Sequence, residues 1–165
     1  MKQHTRSVAL GGILAALAVV IMAMGTLIPV ATFVCPMLCM MILQVVTKSC
    51  GQRMAWAWYG AVTFLSFLFA PDREAAAVFA FLGYYPIVKP KLDGLKLGIL
   101  WKLLLFNSAV GLMYWVLMNL LGMSEIAAEY AELGSVMTMI LLVMGNVTFL
   151  LLDQILGKKW RKRRG

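Results

Sequence analysis

An all-α, integral-membrane bundle of six helices with both termini in the cytosol is what this sequence predicts, as one domain over residues 1–165. Long uncharged runs, an excess of apolar residues, and cations confined to alternate loops all point to it. Hydrophobic residues make up 62% of the chain and charged residues 13%. A soluble domain of this length has no interior large enough to hide that fraction. The uncharged runs are Ser7–Thr47, Met54–Pro71, Leu103–Ser124 and Leu133–Leu152.

The elements follow in order. The start, "MKQHTRSVALGGILAALAVV", has the basic opening and apolar follow-on of a signal peptide. Its apolar run continues far past any cleavage position, so it reads as an uncleaved first span. A single helix over Ser7–Thr47 would be about 60 Å long, twice a bilayer core. Gly25 and Pro29 offer a turn inside it, which gives spans over 8–28 and 32–47. The third span is 54–70. The fourth, 73–88, opens well: Pro71-Asp72 with acid in the first turn suits a helix start. It is short, because Ala75 to Val88 makes a helix of only about 21 Å. Gly83 and Pro86 predict a kink near its end. The fifth and sixth spans are 97–121 and 134–156, followed by a basic cytosolic tail, 157–165.

Charge decides whether the short fourth segment crosses. If all six spans cross, every Lys and Arg except Arg73 falls on or near one side. The other side collects Asp72, Glu74, Glu125, Glu129 and Glu132. This is the positive-inside pattern, so the basic side is cytoplasmic. Turning the fourth segment back would send Lys89, Lys91, Lys96 and the tail "GKKWRKRRG" outward and split the cations. Trp56, Trp58 and Tyr59, then Tyr84 and Tyr85, Trp101 and Trp160 fall near the inner boundary as expected of interfacial anchors. The tail beside a membrane helix reads as attraction to anionic lipid, not nucleic acid.

Chemistry-bearing motifs are absent. His4, in the N-terminal tail, is the chain's one histidine. No Ser-His-Asp, H-E-x-x-H, Walker or C-x-x-C pattern occurs, so neither an enzyme nor a cofactor is expected, and no residue is assigned as catalytic. Cys35 and Cys39 lie one helical turn apart near Met37, Met40 and Met41. These soft ligands suit Cu(I). Apolar filling is the preferred reading, so no metal site is expected.

Polar residues gather on the last two spans. Trp101, Ser108, Trp115 and Asn119 fall within about 40° on the fifth; Ser135, Asn146 and Asp153 fall within about 20° on the sixth, with Thr138 beside them. Two such stripes are expected to face each other or a shared cavity. Interhelical hydrogen bonding is one reading; a ligand pocket lined by Trp115, Asn119, Thr138, Asn146 and Ser108 is the other. Lys102 and Asp153 sit at matching depths, which predicts an ion pair. On the first span, Ala9, Gly12, Ala16 and Ala23 form one small-residue stripe, with Gly11, Ala15 and Ala18 beside it. Such stripes let another helix backbone approach closely.

These features resemble the substrate-binding S components of energy-coupling factor (ECF) transporters, small bacterial six-helix proteins with cytosolic termini. "VALGGILAALAVV" is similar to their first helix, with Gly12 and Ala16, or Gly11 and Ala15, where the family carries alanines at four-residue spacing. "FAPDREAAAVFAFLGYYPIVKPK" resembles stretches of small uncharacterised bacterial membrane proteins thought to be related. The resemblance implies capture of a vitamin or similar micronutrient outside the bacterial cytoplasmic membrane. It implies docking of the first helix on a membrane T component, with ATP hydrolysis on separate cytosolic ATPases. It also implies a pocket closed by the first loop, here "GTLIPVAT".

Overall fold

Helices dominate the chain, and no strand occurs among the described residues. The computed structural model describes residues 2–24, 31–120, 122 and 124–161. The expected closing loop at 25–30 and the end of the basic tail, 162–165, lie outside them. So do the side chains of Glu125, Glu129 and 158–161. The chain divides into two units, Met1–Leu95 and Lys96–Gly165.

The first unit holds α1 (Lys2–Ala23), α2 (Ala31–Cys50), α3 (Gln52–Phe69), α4 (Arg73–Leu82) and α5 (Tyr85–Leu92). Helix α2 is its hub and packs against the other four. Gly51, at φ 88°, makes the tight turn from α2 into α3, a conformation that costs a glycine little. Helix α1 delivers Ala18 and Met22 to the core. Helix α2 delivers Cys35, Cys39, Leu43 and Val46, and α3 delivers Ala55, Trp58 and Val62.

Asp72 starts α4. Its Oδ1 accepts from the backbone N–H of Glu74 and Ala75 at 3.0 and 3.1 Å. Its Oδ2 accepts from the Thr32 hydroxyl at 2.8 Å, which ties α4 to the start of α2. From Ala75 through Phe79 every residue is buried, so α4 is covered all round. A helix shielded in this way meets no lipid, and bilayer thickness does not set its length.

The expected fourth span is thus two helices. The junction at Gly83 has no room for a side chain. A Cβ there would lie 2.9 Å from two ring carbons of Phe79 and still closer to its carbonyl oxygen. Pro86 then opens α5, where a missing N–H is tolerated. The hydroxyl of Tyr59 donates to the Ala80 carbonyl near the end of α4. Its ring also meets Phe79 and Tyr84, with centroids 5.7 and 6.3 Å apart.

The second unit is a helical hairpin of α6 (Gly98–Asn119) and α7 (Ser124–Arg161). Helix α7 starts ten residues before the expected sixth span. Gly134, at φ 70° and ψ 167°, interrupts it where that span was expected to begin.

Among the described residues, three segments are long and apolar enough to cross a membrane: Thr32–Cys50, Gly98–Asn119 and Gly134–Gly157. They are compatible with a membrane-embedded chain. The other three expected spans fall short of that standard for definable reasons. Of the first expected span, the described apolar helix covers Ser7–Ala23. Helix α3 dilutes its apolar residues with Gln52, Arg53, Trp56, Trp58 and Tyr59. Helices α4 and α5 are 10 and 8 residues long.

Candidate functional site

The α6–α7 seam carries most of the second unit's polar chemistry. Lys102 Nζ donates to both carboxylate oxygens of Asp153, at 3.2 and 3.0 Å. The two side chains are 6% and 15% exposed, so the pair is shielded from solvent screening. One turn along α6, the Phe106 ring stacks on Phe149 with centroids 4.6 Å apart. Phe106 also lies against Gly145, where a Cβ would sit 3.6 Å from the ring. Next to it, Asn107 and Asn146 exchange side-chain hydrogen bonds at 2.9 and 3.1 Å. The ladder runs antiparallel, which a short hairpin connection requires.

The Asn107–Asn146 exchange is nearly saturated. Each amide nitrogen has two N–H groups. That of Asn107 gives its second to the Leu103 carbonyl at 2.8 Å, and that of Asn146 gives its second to the Leu142 carbonyl at 2.8 Å. Both sets of donors are therefore used within the hairpin. Sequence reasoning missed Asn107. The signal was available: an asparagine on α6 at the depth of Asn146, found by the same depth matching that pairs Lys102 with Asp153.

The other expected pocket residues do not converge. On α6 the seam side carries Lys102 and Phe106 and buries Ala109, Met113 and Leu117. The Trp101, Ser108, Trp115 and Asn119 stripe lies roughly 135° round the helix from that side. Ser108 and Asn119 are exposed, and Trp115 is 60% exposed. Asn119 donates to the Trp115 carbonyl at 3.0 Å, and Thr138 donates to the Gly134 carbonyl at 2.9 Å. Both bonds stay within their own helices. The two polar stripes are expected to face each other or a shared cavity; within the hairpin they do not face each other, since only that of α7 borders the seam. Helix α6 is apolar nearly all round, so its packing side is marked by Lys102, Phe106, Met113 and Leu117 and not by the Trp101–Asn119 stripe.

On α1 the structure separates the two small-residue stripes. The inner one packs: Gly11 and Ala18 are buried and Ala15 is half-buried. The Gly11 carbonyl accepts from Trp58 Nε1 at 3.1 Å. The Ala18 carbonyl accepts from Cys39 Sγ at 3.5 Å. The outer stripe, Ala9, Gly12, Ala16 and Ala23, is exposed. A Cβ built on Gly12 would have nothing within 4 Å.

Two aromatic readings change. Trp58 and Tyr85, expected as interfacial anchors, are core residues at 4% and 0% exposure. An indole or phenol can turn its polar end inward when a carbonyl waits there, as Gly11 does for Trp58. Lys89, expected in a cytosolic loop, lies in α5, is buried, and pairs with Asp93 at 3.4 Å.

No protein-family model, curated protein or solved structure matches this chain.

Proposed function

We propose that the protein is the substrate-binding S component of an ECF-type importer. It spans a bacterial cytoplasmic membrane six times with both termini in the cytosol and captures a vitamin or similar micronutrient from outside. The observation that carries this reading is the division of α1. Its inner stripe, Gly11, Ala15 and Ala18, is used by the chain's own core. Its outer stripe of Ala9, Gly12 and Ala16 is left uncovered. A membrane T component bearing cytosolic ATPases is the partner this surface would take. Glu125, Glu129 and Glu132 favour a neutral or cationic ligand through their field. The exposed Trp115 indole offers an aromatic face for such a ligand to stack on.

Co-purification in mild detergent tests the reading. A T component and ATPases should be recovered with the wild-type chain and lost from the Gly12→Leu/Ala16→Leu variant. Equal recovery from both would remove α1 from the proposal. Native mass spectrometry of the purified protein should find a retained small molecule.

A second reading, a non-transporting assembly or regulatory subunit, is favoured by the saturated Asn107–Asn146 pair. Polar residues spent on each other leave little for a ligand. Trp115→Ala and Asn119→Ala decide between the two. Both should weaken uptake if the importer reading holds, and neither should change any phenotype if the seam is only structural.

A further inference from the structure

Two thiol hydrogen bonds fix the register of α1 against α2. Cys50 Sγ donates to the Ser7 carbonyl at 3.3 Å, and Cys39 Sγ donates to the Ala18 carbonyl at 3.5 Å. Moving from the first contact to the second goes as far forward along α1 as it goes back along α2. The helices are therefore antiparallel and keep one register over about three turns. One further turn on each brings Met22 opposite Cys35. Cys35 and Cys39 share a face of α2, with Cβ atoms about 5–6 Å apart by helical spacing. Met22 and Ala18 likewise share a face of α1. All three sulfur residues belong to one core cluster; Met22 and Cys39 are fully buried and Cys35 is 8% exposed.

We propose that Cys35, Cys39 and Met22 form a binding site for a soft monovalent cation of the Cu(I) or Ag(I) class, held between α1 and α2. Two thiols and a thioether are the donors such an ion prefers over oxygen ligands. Among the described residues no third His, Cys, Asp or Glu joins the two thiols, and the Met22 thioether in the same core cluster is the third soft donor of the proposed site. Pro36, between the two cysteines, brings no N–H to the helix, which leaves that turn of α2 easier to adjust around an ion. Cys35, the least buried of the three, marks the side of entry. Each thiol that ligates gives its proton to water. One thiolate makes the site neutral; two leave a single negative charge. The site does not depend on the importer reading. It also differs from plain apolar filling, which would leave the three sulfurs interchangeable with Ala, Val or Leu and without a preference for soft ions.

The test titrates Ag+, a redox-inert probe, into the purified full chain in detergent micelles, with native mass spectrometry and thermal unfolding as readouts. The wild type should take up one Ag+ per chain, unfold at a higher temperature and release protons into weak buffer. Cys35→Ser and Cys39→Ser should each weaken binding by at least about 100-fold, the upper end of what even outer-shell changes cost a metal site. Met22→Leu, which keeps the core filled, should weaken it by about 10-fold, the lower end of that range. Cys50→Ser should bind like wild type. Should Cys39→Ser fail to fold, Cys35→Ser and Met22→Leu carry the test. Absence of stoichiometric uptake by the wild type, uptake unchanged in Cys35→Ser and Met22→Leu, or uptake lost only in Cys50→Ser would each overturn the proposal.

Discussion

The two units hold themselves together by different means. In the first, side chains reach across to backbone carbonyls: Trp58 to Gly11, Cys39 to Ala18, Tyr59 to Ala80. Around those bonds lies a continuous apolar core with small residues at the crossings. In the second, side chain meets side chain, Lys102 with Asp153 and Asn107 with Asn146. The spanning segment of α2 is 39% buried within the protein, whereas those of α6 and α7 are 17% and 11% buried. A hairpin with so little burial gains its register from polar complementarity. A unit with a closed core gains it from shape. In lipid this matters more than in water, because apolar surface is equally content facing a neighbour or an acyl chain.

The contrast can be broken first at the ion pair. Asp153→Ala removes the carboxylate beside the buried Lys102 ammonium and should cost about 3 kcal/mol, read as reversible unfolding in mixed micelles. The double variant Lys102→Met/Asp153→Leu should recover most of that loss. A double variant as poor as the single one would mean that the carboxylate does more than neutralise its partner.

Next in size is a steric test in the first unit. Gly83→Ala drives a methyl group into the Phe79 ring and carbonyl and should cost about 2 kcal/mol, as overpacking does. Pairing it with Phe79→Leu should restore part of the loss in thermal unfolding.

Removing a side-chain-to-backbone bond comes third. Trp58→Phe keeps most of the ring volume but removes the indole N–H given to the Gly11 carbonyl, at about 1 kcal/mol. Near-ultraviolet circular dichroism and the unfolding midpoint would register it.

The amide exchange is the smallest. Double-mutant cycles within membranes average about 0.6 kcal/mol for such bonds, and Asn107→Ala with Asn146→Ala should give a coupling of that size. A coupling near zero would show that the two amides are held by Leu103 and Leu142 alone.

Much of the helical layout was legible because turns and starts have local chemistry. Pro71-Asp72 marks a boundary that the structure uses, and the glycine–proline signal over 83–86 marks the break between α4 and α5. Depth matching of charged residues also works across a hairpin, since Lys102 and Asp153 are 3.0 Å apart. What stayed hidden was direction. In a soluble helix the apolar side is the buried side. In α6 apolar residues run all round, so nothing local separates the side facing α7 from any other, and the Trp101–Asn119 stripe was drawn toward the wrong face. The same ambiguity hid the inward turn of Trp58. It also hid which small-residue stripe of α1 turns inward: Gly11/Ala15 and Gly12/Ala16 are equally small, and both stand as candidates for a partner-facing side.

Asp72 divides its two oxygens between two tasks. One accepts the amides that open α4, and the other holds the hydroxyl at the start of α2. Local fraying of that first turn and separation of the two helices therefore become a single opening event. Deuterium uptake at the Glu74 and Ala75 amides should quicken when Thr32 is changed to Val, although neither amide touches Thr32.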